Sequence, residues 1–130
     1  MQVVLDGRGA IRYRGTGIGT YTYRLLEGLA ATIMPPDRLL VCLPPGESSA
    51  LEETVLRQAL DPGRVEFRHL AEASMDGQRE ELAELCASAR ADVLHMPQNG
   101  RGLPRVRCAV VTTVHDLIPF VLPQTCGRAY

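Results

Sequence analysis

The sequence of 130 residues contains no lysine and no tryptophan, and aromatic residues make up only 5% of it. All 14 basic residues are therefore arginines, and 15 acidic residues bring the formal net charge to −1. This balance gives no electrostatic support for a general role in binding nucleic acid or a membrane surface. The missing lysine also excludes a Walker-type phosphate loop, which requires one.

Long apolar runs and paired cysteines are absent too. No apolar run reaches the roughly 18–20 residues that a transmembrane helix requires. The first predicted strand follows directly on Met1, so we expect no cleaved signal peptide. The cysteines Cys42, Cys86, Cys108 and Cys126 are widely spaced and form no C-x-x-C motif. We expect structural thiols in a reducing, cytoplasmic setting rather than a metal or redox site.

Strand-like and helix-like apolar patterns alternate along the chain. Strands are predicted over 2–6, 39–43, 64–69, 93–96 and a fifth segment centred on 108–111, and amphipathic helices over about 18–33, 49–60 and 78–90. Such alternation predicts βαβ units, because parallel neighbouring strands need a crossover. The fold class expected is α/β, with an open parallel Rossmann-like sheet and helices on both faces. A length of 130 residues suits a single domain spanning residues 1–130.

Local signals predict where the first two helices begin. Thr20 or Gly19 is a plausible cap for the first, and Ser49 with Glu52 forms a capping-box signature for the second. The glycine-rich segment that starts at Gly7 and leads to the first helix is predicted to be a long loop.

The fifth predicted strand ends in the most conspicuous polar residues of the chain. Its apolar run from Cys108 to Val111 shows no alternation, which predicts a strand covered on both faces, as in the centre of a parallel sheet. His115 and Asp116 follow at the carboxyl edge, where open α/β sheets bind ligands. We therefore expect His115 to act on a substrate as a hydrogen-bond donor or acid–base group, and Asp116 to hold its tautomer.

In the common strand order 3-2-1-4-5, the ends of strands 1 and 5 lie roughly 10 Å apart. This order would place the glycine segment, His95 and His115 on one rim. Glycines before a helix start favour an approaching anion, so Gly17 and Gly19 are candidates for binding phosphate. Their spacing departs from the dinucleotide-binding fingerprint, and glycines that serve only a tight loop remain an open alternative.

The arginines near these glycines and the histidines of the chain also have interpretations that involve no ligand. Three arginines of the glycine-rich segment could add positive charge for an anionic ligand, although solvated side chains are the simpler interpretation for each: Arg8, Arg12 and Arg14. A zinc site built from the three histidines of the chain lacks a closely spaced ligand pair, so no metal is expected.

Three segments in this order resemble one known family. Gly17-Ile18-Gly19-Thr20-Tyr21 with the helix after it, Asp92-Val93-Leu94-His95, and the segment 110–119, Val-Val-Thr-Thr-Val-His-Asp-Leu-Ile-Pro, are similar to the opening, the "DvxH" strand and the "HD" segment of family-four glycosyltransferases. The matches span most of the chain.

This resemblance implies the N-terminal, acceptor-side Rossmann-like domain of a GT-B enzyme, which moves a sugar from a nucleotide-sugar to a glycan, lipid or small-molecule acceptor with retention of configuration. It implies that Gly17 and Gly19 approach the donor phosphate and that His115 faces the transferred sugar. The resemblance further implies an enzyme that requires no metal or other cofactor. It also points to an acceptor or substrate surface that includes Arg14, Tyr21, His95, Asn99 and Arg101.

The second Rossmann domain of that family is not in this sequence. We therefore expect the front part of a longer two-domain enzyme, inactive as the isolated chain, cytoplasmic or peripheral to the inner face of the membrane, and able to form a homodimer through an open sheet edge. Two other functions remain open: a non-catalytic Rossmann-like module that binds a phosphorylated ligand or a partner subunit, and a different α/β enzyme with His115 as its general base.

Overall fold

A computed structural model describes residues 1–46, 48–71, 75–98, 105–122 and 124, with the backbone alone at 75, 76, 78, 119 and 120. Five parallel strands form one open sheet: β1 Gln2–Asp6, β2 Arg38–Leu43, β3 Val65–His69, β4 Val93–Met96 and β5 Ala109–Thr112. Their order in the sheet is β3-β2-β1-β4-β5. This order is the one assumed from the sequence, and it brings the carboxyl ends of β1, β4 and β5 to one rim.

Helices cover both faces of this sheet. They are α1 Arg8–Arg12, α2 Gly17–Thr32, α3 Ser49–Gln58, α4 Met75–Ser88 and the short α5 Ile118–Val121, with a 3₁₀ turn at Pro62–Arg64. On one face, Leu26 of α2 and Val55 of α3 pack with Leu5 and Val41 of the strands. On the other face, Leu82 of α4 joins a separate apolar cluster under the same strands. The predicted α/β Rossmann-like fold is confirmed.

The helix starts differ from the sequence prediction in two places. Thr16, not Thr20 or Gly19, caps α2, because its side chain accepts a hydrogen bond from the backbone N–H of Gly19. Ser48, one residue before the predicted Ser49, occupies the cap position of α3, and its hydroxyl donates to Glu52 instead of accepting from the backbone. Both glycines of interest therefore lie inside the first turn of α2 rather than in a loop.

The segment predicted to be one long loop after β1 also contains α1. Its close approach to α2 depends on Gly9, since a Cβ there would lie 2.8 Å from Oγ1 of Thr22. Apolar periodicity could not reveal this helix, because five residues are too few to show a pattern.

The prediction for β5 was wrong in one respect. The strand exists, but it forms the edge of the sheet and its residues are mostly exposed; Val111 is 46% exposed, and Val114 just beyond it 58%. An unbroken run of β-branched residues indicates a strand and cannot say how many neighbours it has. Among the described strands, none pairs with β5 on the side away from β4.

Candidate functional site

The two glycines at the start of α2 have different structural roles. A Cβ on Gly19 would lie 2.0 Å from the carbonyl oxygen of Tyr13, so this residue must be glycine for the chain before the helix to pack against it. A Cβ on Gly17 would meet nothing within 4 Å. Packing therefore explains Gly19, while Gly17 leaves the first turn of α2 open to an approaching ligand.

A matched pair of substitutions separates these roles. Gly19→Ala forces a backbone shift, and we expect it to lower the free energy of unfolding by about 1–3 kcal/mol, as overpacking does. Gly17→Ala should leave that energy unchanged or raise it by up to about 1 kcal/mol, because alanine favours the helix and restricts the unfolded chain. Urea unfolding of both variants measures this. Equal destabilisation by the two substitutions would contradict the assignment.

His115 lies against the start of α2 through Tyr21. The two rings meet edge to face with their centroids 5.2 Å apart, and Oη of Tyr21 shares a hydrogen bond of 3.1 Å with Oγ1 of Thr113. Nε2 of His115 donates to the carbonyl oxygen of Pro97 at 2.7 Å. This bond fixes the ring orientation, and a neutral ring then has its lone pair on Nδ1. The structure thus brings Tyr21 and His115 together on the predicted rim.

Asp116 has a different contact from the one expected. Its Oδ1 accepts a hydrogen bond of 3.0 Å from the backbone N–H of Ile118, at the start of α5. The carbonyl of Pro97 is therefore the group that fixes the Nε2–H tautomer of His115, and Asp116 shapes the turn that follows. A backbone acceptor of this kind cannot be identified from residue types.

A buried ion pair at the end of β1 was missed. Arg8 donates from Nε and Nη2 to the two carboxylate oxygens of Asp6, at 2.7 and 2.6 Å, and both residues are buried. Burial alone would lower the pKa of Arg8, but the hydrogen bond and charge of Asp6 outweigh it and the pKa is raised. The simpler expectation of a solvated Arg8 was therefore wrong. The sequence did contain one signal for this ion pair, which was an arginine two residues after an acidic residue at the end of a predicted strand.

Gln98 extends this pair towards β4. Its side-chain amide nitrogen donates to Oδ2 of Asp6 at 3.4 Å, which fixes the amide orientation, since a carboxylate can only accept. The opposite end of the amide lies beside Gly9, where a Cβ would be 3.4 Å from Oε1. The ends of β1 and β4 are thus joined by polar side chains.

Two buried polar atoms at this rim have no hydrogen-bond partner among the described residues: Nε2 of His95 and Oε1 of Gln98. His95 pairs in register with Leu5 of β1 and Val111 of β5. Burial lowers its pKa, so the ring is neutral near neutral pH. An unsatisfied buried polar atom costs about 1–3 kcal/mol, so a group that supplied hydrogen bonds to these two atoms would stabilise the rim.

A cavity lies on the other side of α2. It has a volume of about 520 Å³ and lies between α2 and the start of α3, with Arg14, Gly19, Thr20, Ser48 and Thr54 among its lining residues. His115 and Tyr21 do not line it. The structure therefore separates Arg14 from the histidine rim, although the sequence grouped them.

The remaining candidates lie elsewhere. Asn99 and Arg101 lie outside the described residues. His69 lies at the end of β3, the opposite edge of the sheet from β5, where Nε2 is 2.9 Å from Oε1 of Glu52. Across the described ranges, no group of three or more histidine, cysteine, aspartate or glutamate residues is arranged to hold a metal ion.

Comparisons with known proteins add no assignment. No protein-family model matches the chain, and a search of curated proteins finds no significant match. Among the helices that the structure describes, none combines the length and apolar character that crossing a membrane requires. The function is therefore inferred from the geometry of the rim.

Proposed function

We propose that this chain is the acceptor-side Rossmann-like domain of a glycosyltransferase that moves a sugar from a nucleotide-sugar to an acceptor hydroxyl. The observation that carries the proposal is the pair of buried, unpartnered polar atoms of His95 and Gln98 at the rim that also holds His115. A sugar hydroxyl both donates and accepts hydrogen bonds, so it suits an amide oxygen and a neutral imidazole nitrogen equally well.

The residues around His115 support a role in positioning. The Pro97 carbonyl and the Tyr21 ring hold its imidazole at the carboxyl end of the sheet, so that little rotational freedom is lost when a substrate binds. In the reaction, the acceptor oxygen bonds to the anomeric carbon and the bond from that carbon to the diphosphate breaks. The acceptor proton passes to the departing diphosphate. We assign His115 to a hydrogen bond with the transferred sugar.

The open first turn of α2 supports a role for Gly17 in approaching the diphosphate. Backbone N–H groups at a helix start and the positive end of its dipole stabilise negative charge, which grows on the leaving group during transfer. The nucleotide itself would be held by a second Rossmann domain, following the family resemblance.

The test is an assay of the protein translated from the complete reading frame. With a panel of UDP- and GDP-sugars, we expect release of the nucleoside diphosphate with one sugar donor, and a second βαβ domain after residue 130. A reading frame without a second domain, combined with no turnover of any donor, would contradict the proposal.

Titration of the isolated chain distinguishes the main alternative, a phospholigand-binding module without catalytic activity. A domain that lacks the nucleotide pocket should bind nucleotide-sugars with a Kd weaker than about 1 mM, which corresponds to a binding free energy below about 4 kcal/mol. Micromolar binding of a phosphorylated ligand that Gly17→Ala weakens would favour the binding module instead.

A further inference from the structure

A second cavity opens far from the rim, beside the amino end of β5. It has a volume of about 360 Å³ and lies between α4 and the segment that leads into β5. Its inner wall is formed by small and apolar side chains, and two cysteines, Cys86 and Cys108, are part of it. Three exposed arginines complete the lining: Arg90, Arg105 and Arg107.

The two thiols at this cavity belong to one apolar region. Cys86 is buried in the apolar cluster under the sheet, and Cys108 packs against that cluster and is partly exposed. Cys108 lies close enough to Cys86 to contribute, after burial, to the raised pKa of the Cys86 thiol. Cys42, in contrast, is fully buried in β2 and does not line the cavity. The pair joins the α4 helix to the strand segment that leads, at its other end, to Thr113 and His115.

The charge around the cavity has one sign. Within the described part of the chain, none of the three arginines forms an ion pair or a side-chain hydrogen bond. Their positive charge would attract a small anion. The cavity thus combines a partly exposed thiol, a buried thiol in the same lining, and a cationic mouth.

We propose that Cys86 and Cys108 are an oxidisable thiol pair, and that the cavity receives a small anionic disulfide as the oxidant. The thiolate of Cys108 attacks one sulfur of the disulfide, whose S–S bond breaks, and a mixed disulfide forms while one thiolate leaves and takes up a proton. Cys86 then loses its proton to solvent, attacks the sulfur of Cys108 and expels the second thiolate. Two protein thiols are oxidised and one disulfide is reduced to two thiols.

The order of these steps follows from burial. Burial and the neighbouring Cys108 raise the pKa of Cys86 to about 12, so it stays a thiol at neutral pH while Cys108 is the accessible group. Once Cys108 carries the mixed disulfide, the second step is intramolecular, because both cysteines line the same cavity, and this compensates for a small thiolate fraction. The product would tie α4 to the segment that leads into β5.

The experiment uses glutathione disulfide as the anionic probe and mass spectrometry of the intact chain. Cys126 is replaced by serine in every variant, so that it cannot react. The parent chain should form a Cys86–Cys108 disulfide, Cys86→Ser should stop at the mixed disulfide on Cys108, and Cys108→Ser should form neither. A Cys108 that stays unmodified, or a parent chain that accumulates the mixed disulfide as stably as Cys86→Ser does, would overturn the proposal.

A neutral probe tests the role of the arginines. Replacing Arg105 and Arg107 with glutamine should slow the reaction with glutathione disulfide by about tenfold at low salt, but leave the reaction with 2-hydroxyethyl disulfide unchanged. Arg57→Gln, on the distant helix α3, serves as the control and should change neither rate. If replacing the two arginines changed the rates of both probes by the same factor, the anion preference would be excluded.

Closing the disulfide should also raise stability. A link across the segment between the two cysteines restricts the unfolded chain, so the Tm of the oxidised parent should rise by roughly 5 °C or more over that of the reduced chain. The same treatment should leave the Tm of Cys108→Ser unchanged. An unchanged or lower Tm in the oxidised parent would show that the fold does not accommodate the bond.

Discussion

Replacing Arg8 with methionine is expected to lower the free energy of unfolding by about 3–5 kcal/mol, because it leaves the Asp6 carboxylate buried without its cation. Asp6 has no exposed surface, and Arg8 meets it through two parallel hydrogen bonds. Such a loss is a large part of the 5–15 kcal/mol that typically stabilises a domain. Urea unfolding followed by circular dichroism gives the value.

Two further variants make this test decisive. Combining Arg8→Met with Asp6→Asn removes the unpaired charge and should recover more than half of the loss, so the double variant remains informative even where the single variant fails to fold. Arg57→Met removes the exposed pair with Glu53 and should cost no more than about 0.5 kcal/mol. A loss below about 1 kcal/mol for Arg8→Met would show that the pair at the end of β1 contributes little.

His115→Ala is expected to lower kcat by at least about 100-fold in the protein with both domains, while the fold stays intact. The imidazole is oriented by Pro97 and Tyr21 at the rim, and Thr113, in the same segment after β5, shares a hydrogen bond with Tyr21 of α2. Because the residue follows β5 outside the apolar core and is only partly buried, its loss should change the Tm by only a few degrees. Transfer rates and thermal unfolding are measured on the same preparation.

His69→Ala is the matched control for this substitution. His69 is also a histidine at the carboxyl end of a strand, but it belongs to β3 at the other edge of the sheet and contacts Glu52 and Ser48. Its replacement should leave kcat within about twofold of the parent. A His115→Ala enzyme with unchanged turnover would remove His115 from the reaction.

The regular elements of the fold could be predicted because their signals are local. The spacing of Leu25 and Leu29 marks α2, and the alternation of strands with helices implies parallel pairing and a Rossmann-like order. Periodicity could not place the helix starts, since capping depends on which hydroxyl faces a free N–H. Thr16 takes this position in α2, three residues before Gly19.

The site was predictable only in outline. Strand ends indicate a rim, so His115 and His95 could be named from their positions in the sequence. The roles of the Pro97 carbonyl and of the Asp6–Arg8 pair could not be predicted from the sequence, because they depend on burial and on backbone direction. The exposure of β5 was missed for a similar reason, since a run of apolar residues does not report how many neighbours a strand has.

The most direct test of the proposed rim is a crystal structure of the two-domain protein with its nucleotide-sugar. The account predicts that hydroxyls of the transferred sugar lie within hydrogen-bond distance of Nε2 of His95 and Oε1 of Gln98, with the His115 imidazole against the same sugar. A sugar bound instead beside Arg14 in the cavity on the other side of α2, with His95 and Gln98 still unpartnered, would contradict it.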